Sequence, residues 1–215
     1  MKHLNTYITE YIIKKKLDKP INSEDHYEYH PENKKQLIRN ISELFKKGET
    51  NLNCIDTSKI TDMSYLFGSL NNVPIQSINF DVSEWDVSKV KYMQYIFHGL
   101  KNFDCDLSKW NVSNVTDMSC MFEGCNKFEG KGLNNWDVSN VTNMENLFVD
   151  CYVLNSDLSE WNVSKVKDMD GMFYNCKKFN CDLSKWNVKN VKYMSETFSN
   201  CTSLKNKPRW YKSLK

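Results

Sequence analysis

The sequence predicts an α/β repeat solenoid, built from short parallel strands and short helices, with a helical cap at its N-terminal end. Three observations carry this expectation: a nearly fixed recurrence, an apolar pattern whose period changes inside each repeat, and an N-terminal stretch without the repeat. Trp85, Trp110, Trp136, Trp161 and Trp186 stand 25, 26, 25 and 25 residues apart, and each opens nearly the same phrase: WDVSKVKYMQYIF, WNVSNVTDMSCMF, WDVSNVTNMENLF, WNVSKVKDMDGMF, WNVKNVKYMSETF. A fixed period in this range marks units that bury their apolar side only by stacking on their neighbours. Function is therefore sought on an extended surface, not in a pocket.

The period extends in both directions. Upstream, IDTSKITDMSYLF places Ile55 in the tryptophan slot, and the longer step to Trp85 implies an insertion of about five residues near NNVPIQ. Downstream, Trp210 falls 24 residues after Trp186. The chain thus divides into a helical cap over residues 1–50, about six rungs over 51–204 with a truncated seventh, and a C-terminal cap over 205–215.

The repeat from Asp106 to Phe128 shows how each element is expected to form. Leu107, Trp110, Val112 and Val115 read LxxWxVxxV, close to the opening of a leucine-rich repeat, in which a short strand pairs with its copies in successive rungs. A strand here points Trp110 and Val112 inward and exposes Lys109, Asn111 and Ser113. Met118, Met121, Phe122 and Cys125 then fall at i, i+3, i+4 and i+7, one apolar face of a short helix. Thr116 or Asp117 suits its start, and Gly124 its left-handed closure. Asp150, Asn175 and Asn200 occupy the Gly124 slot in later repeats and tolerate that conformation next best.

Two apolar stripes lie in the extension: Leu4, Tyr7, Ile8, Tyr11 and Ile12, then Leu37, Ile38, Ile41, Leu44 and Phe45 after Pro31, which suits a first helical position. Two helices would cover the first rung, and Trp210 would cover the last. Pro208 and the neighbouring lysines discourage a further strand from adding there.

With 29 basic and 27 acidic side chains the net charge is +2, so nucleic acid and anionic membranes are not expected as main partners. The longest apolar run near the start, Tyr11 to Ile13, is too short for a signal-peptide core or a membrane span; as written, a cytoplasmic location and no membrane span are expected. Eight cysteines are then expected as free thiols. Cys125, Cys151, Cys176 and Cys201 share one slot, fifteen residues after each tryptophan, and are read as a buried ladder. No CxxC or CxxH spacing accompanies them, and no catalytic, phosphate-binding or cofactor motif is present, so no enzyme activity, metal or cofactor is expected.

The phrases WNVSNVTDMSCMF and WDVSNVTNMENLF, with DLSKW or DLSEW leading into them, resemble the repeat of BspA-like leucine-rich-repeat-related proteins of bacteria and phages, including mycoplasma surface lipoproteins. The resemblance spans Ile55 to Cys201 and implies a repeat solenoid that binds proteins or host surfaces, with the cell surface as an alternative location.

The expected function is non-enzymatic binding of a protein partner by a monomeric chain. On the first candidate surface lie Glu84, Asp86 and Ser88; Lys109, Asn111 and Ser113; Asn135, Asp137 and Ser139; Glu160, Asn162 and Ser164; and Lys185, Asn187 and Lys189. Asp86 and Asp137 read either as a cation site or, preferably, as part of an Asx ladder without like charges on adjacent rungs. Interface anchors favour aromatics, so Tyr92 and Tyr95, with Tyr152, Tyr174 and Tyr193, form a rival set on the helical side. An adhesin-like surface role is the second reading.

Overall fold

The computed structural model describes residues 26–70 and 73–211. Among these the chain has one α-helix, α1 (Lys34–Lys46), three short 3-10 segments (Phe67–Ser69, Ile75–Ser77 and Leu133–Asn135) and no strand. The expected leucine-rich-repeat-like α/β solenoid of parallel strands and helices is therefore not the architecture. Each repeat is a succession of tight turns laid on the next.

Local chemistry explains the missing strand. Around Trp110, the Leu107 carbonyl accepts from the Trp110 amide at 3.1 Å and the Val112 carbonyl from the Val115 amide at 2.9 Å, closing two turns within nine residues. The side chains of Asp106 and Asn111 accept from the amides of Ser108 and Ser113 at 2.9 and 3.1 Å, the Asx turn these residues favour over extended chain. Trp110 and Val112 are nonetheless buried and Lys109 and Asn111 exposed, so the inward pair stands although the strand does not.

The missing helix has a different cause. The amides of Met118, Cys120, Phe122 and Gly124 donate to the carbonyls of Asn143, Glu145, Leu147 and Val149 in the next repeat, at 2.8–3.0 Å. These donors are thereby withdrawn from the i→i−4 ladder that defines a helix. Met121 and Cys125 instead close i→i−3 turns onto Met118 and Phe122. Cys120 and Gly124 have φ of 53° and 75°, which a right-handed helix cannot accommodate in its interior. An apolar spacing of three and four residues is satisfied equally by linked turns.

Stacking holds the rungs together. Isolated parallel bridges run Asp62–Tyr92–Asp117–Asn143–Asp168–Tyr193 down one column. Phe67, Phe97, Phe122, Phe148, Phe173 and Phe198 stack at 5.5–5.6 Å between centroids. Trp110, Trp136, Trp161, Trp186 and Trp210 stack at 6.2–6.5 Å with planes within 8°. Each tryptophan Nε1 donates to a carbonyl of the preceding rung, as Trp136 does to Leu107 at 3.1 Å, so its polar edge is satisfied inside the core. Aromatic pairs of this kind add about 0.5–1.5 kcal/mol each beyond the area they bury.

All eight cysteines are free. Cys125, Cys151 and Cys176 are fully buried, and their thiols lie 3.0–3.1 Å from the carbonyls of Phe97, Phe122 and Phe148. Cys201, whose thiol lies 2.9 Å from the Phe173 carbonyl, departs from the expected ladder in being only half-buried, with no further complete rung over it among the described residues.

At the N-terminal end, α1 starts at Lys34 with Asn33 as its cap, whose side chain accepts from the Gln36 amide at 3.1 Å. Pro31 lies before the helix rather than at its first position. Leu37, Ile41 and Leu44 join the core. The other expected helix, over Leu4 to Ile12, lies outside the described residues.

Candidate functional site

The first candidate surface is a row of turn corners. Glu84, Asp86, Lys109, Asn111, Asp137, Glu160, Asn162, Lys185 and Asn187 are all exposed. Asp86, Asn111, Asp137, Asn162 and Asn187 form one column, and each side chain accepts from the amide two residues on, at 2.9–3.3 Å. The carboxyl of Asp137 is held below its ordinary value, first by hydrogen bonds to Ser139. These side chains shape the backbone. They form Asx turns within each rung rather than a ladder of contacts between rungs.

Its charges are largely self-neutralising. Lys109 pairs with Glu84, and Lys185 with Glu160 at 3.4 Å, each across one rung. Lys165 Nζ donates to Asn140 Oδ1 at 2.6 Å, and the side-chain amides of Asn114, Asn140 and Asn190 donate to the carbonyls of Ser88, Ser113 and Ser164. A surface so occupied with its own neighbours offers a partner little that is unpaired.

The rival residues lie elsewhere on the rung. Tyr92 stands in the bridge column beside Asp62 and Asp117, with Lys91 Nζ 5.5 Å from its ring centroid. Tyr95, half-buried, stacks on Tyr65 at 4.5 Å. Its hydroxyl ionises well above the ordinary tyrosine range, chiefly through hydrogen bonding with the Cys120 thiol. Tyr65, Tyr92 and Tyr193, 50%, 41% and 56% exposed, are the large apolar side chains most open to solvent among the described residues. All three lie on this one strip. Position φ +53° at Tyr65 and +59° at Tyr95 belongs to a second left-handed slot, shared with Cys120, Asn146, Gly171 and Glu196.

Between Tyr92 and Tyr193 the strip carries Asp117, Glu123, Glu145, Asp168 and Asp170, of which the sequence points only to Asp117, and to that as a helix start. Burial, then Asp168, Asp170, Asp117 and Glu123, push the Glu145 carboxyl above its ordinary value. Asp168 is raised by burial and by Asp170, partly offset by the Asp170 amide hydrogen bond. The signal was present in the repeat: the slot seven residues after each tryptophan holds Asp or Asn between Tyr92 and Tyr193, and the slot two further on holds Glu145 and Asp170.

No group of three His, Cys, Asp or Glu among the described residues is arranged to hold a metal ion. No helix among them is long and apolar enough to cross a membrane. The sequence matches the family described as "Mycoplasma protein of unknown function, DUF285" twice, over residues 36–132 and 120–213. No curated protein and no solved structure matches.

Proposed function

The chain belongs to the DUF285 family, and we propose that it is a non-enzymatic repeat module that binds a protein partner through the strip bearing Tyr65, Tyr92 and Tyr193. The observation supporting this strip over the row of turn corners is the exposure of those three tyrosines beside carboxylates that repel one another. Tyrosine supplies contact area at low entropic cost and is enriched where binding energy concentrates. The acidic groups between them select a basic partner segment, since like-charge repulsion at Glu145 is relieved when a cation approaches. Paired residues such as Glu84 and Lys109 form the outer surface of the scaffold.

The BspA-like resemblance suggests display at a cell surface as the setting for this binding. Surface labelling of intact source cells tests that setting separately from the binding itself.

The test is a partner captured from the source organism and mapped by cross-linking. Tyr92→Ala with Tyr193→Ala should weaken capture about tenfold or more, whereas the swap Glu84→Lys with Lys109→Glu, which keeps the ion pair, should leave it unchanged. The opposite pattern would return the site to the row of turn corners. Specific turnover by the purified chain would overturn the non-enzymatic reading.

A further inference from the structure

The strip that bears the exposed tyrosines already holds one cation. Thr61, Asp62, Met63 and Ser64 are the same tetrapeptide, TDMS, as Thr116, Asp117, Met118 and Ser119, in the same slots of the first and third rungs. The two copies fold alike. Asp62 Oδ1 accepts from the Ser64 amide at 2.8 Å and Asp117 Oδ1 from the Ser119 amide at 2.9 Å, both serines are buried, and both aspartates bridge to Tyr92. On the first copy, Lys34 Nζ of α1 donates to Ser64 Oγ at 2.8 Å and lies 3.4 Å from each oxygen of the Asp62 carboxylate. Three oxygens converging on one nitrogen suit a compact ammonium with three donors, whereas a planar guanidinium spreads its donors over a fork.

The second copy has no such partner. No ion pair among the described residues reaches Asp117, or Glu145, Asp168 and Asp170 on the two rungs that follow. Asp117, Asp168 and Asp170 each commit one oxygen to a backbone amide, from Ser119, Asp170 and Ser195 respectively, which leaves the second oxygen of each for a further donor. On the rung between the two copies, the side-chain oxygen of Gln94 is buried and meets no donor among the described residues. The column is therefore rich in acceptors and short of donors. Its carboxylates also sense one another, since burial and then Asp168, Asp170 and Asp117 raise the Glu145 carboxyl.

We propose that the strip receives lysine side chains of its protein partner, one ammonium between Asp117 and Glu145 and another at Asp168 and Asp170, with Tyr92 and Tyr193 on either side. This rests on the tyrosine strip being the binding face, and names what that face recognises. Lys34 fills the first TDMS turn, so the open sites lie on the third to fifth rungs, where a lysine-bearing segment laid along the stack meets both. Charge complementarity of this kind fixes register and rejects acidic competitors.

The probe is tetralysine with blocked termini, titrated calorimetrically into the full chain at low salt, with tetraarginine and spermine of equal charge for comparison. Asp117→Asn with Asp170→Asn should weaken tetralysine binding about tenfold without lowering the unfolding midpoint, because Asn143 already makes the same turn with the Glu145 amide at 3.0 Å. Glu84→Gln with Glu160→Gln, which removes equal charge from the row of turn corners, should leave binding unchanged. Tetraarginine should bind about threefold more weakly than tetralysine. Absence of tetralysine binding, equal losses in the two pairs of variants, or tighter binding of tetraarginine would each overturn the proposal. Preference for spermine would assign the sites to free polyamines and overturn it as well. The two readings of the strip fail separately. Capture of the native partner that is lost in Tyr92→Ala with Tyr193→Ala but kept in Asp117→Asn with Asp170→Asn overturns the lysine sites alone, whereas capture lost only in the carboxylate variants upholds them and overturns the tyrosine anchors.

Discussion

The two ends of the stack begin alike and finish differently. Before the first rung, Tyr29 bridges to Ile55 and His30 lies 3.5 Å from Asp56, so the chain enters as a partial rung before turning into α1, whose Leu37, Ile41 and Leu44 complete the burial. After the last rung, Trp210 again opens a partial rung, but Val188, Val191 and Met194 are left half-covered. The difference teaches that the tryptophan slot and the turn segment are separable parts. A short flank supplies the first; only a helix or another rung supplies the second. An amphipathic helix can serve because apolar burial is non-directional, and among the described residues α1 donates no backbone amide to the first rung.

The largest effect is expected far from either end. Trp136→Ala, between two stacked neighbours and bonded to the Leu107 carbonyl, should cost about 3–5 kcal/mol in denaturant unfolding. Ile41→Ala at the covered end should cost about 2–5 kcal/mol, since the side chain is fully buried. Val191→Ala at the other end should cost about 1 kcal/mol, because its methyl groups are partly in water already. Equal losses at Ile41 and Val191 would break the comparison between the ends.

Side-chain burial was far more legible in the sequence than backbone conformation. Trp110, Val112, Val115, Met118, Met121, Phe122 and Cys125 are inside as their spacing requires. The strands and helices assigned to that spacing are absent, because a pattern of apolar positions reports which side faces inward and not where each amide donates. The left-handed closure at Gly124, Asp150, Asn175 and Asn200, with φ of 59–75°, was readable from residue type. The second left-handed slot was not, since Tyr65, Tyr95, Cys120 and Glu196 carry no such preference; the first three donate their amides to the Gln94, Ser119 and Glu145 carbonyls of the next rung. Of the candidate surface residues, exposure was legible and engagement was not. That Lys109 meets Glu84, and Asn111 its own Ser113 amide, depends on rung register and turn geometry.

The same contrast between covered and open rungs should appear in thiol chemistry. Burial raises the Cys176 thiol well above its ordinary value, whereas Cys201 is raised to about 11 and remains partly accessible. Timed alkylation of the native chain, read by peptide mass, should therefore label Cys201 before Cys125, Cys151 and Cys176. Simultaneous labelling of all four would show that the stack opens as one unit rather than fraying from its last rung.

The smallest effects distinguish the two faces by sign. Glu145 has a folded pKa above its ordinary value, so its native carboxyl is penalised once charged: the relative stability it confers is full below the ordinary carboxylate range and is lost as pH rises through the folded value. Glu145→Gln should thus raise stability at neutral pH by about 0.5 kcal/mol, in the range of exposed charge interactions, with the gain vanishing in acid. Asp137 is lowered, so its contribution is present above the ordinary value and lost as pH falls through the folded one. Asp137→Asn keeps an acceptor for the Ser139 amide but removes that charge, and should be slightly destabilising at neutral pH and neutral in acid. Melting curves across the acid range decide the matter. If Glu145→Gln also destabilises at neutral pH, its carboxylate has a cationic or hydrogen-bonding partner within the chain, and the tyrosine strip loses its claim to be the face with unpaired charge.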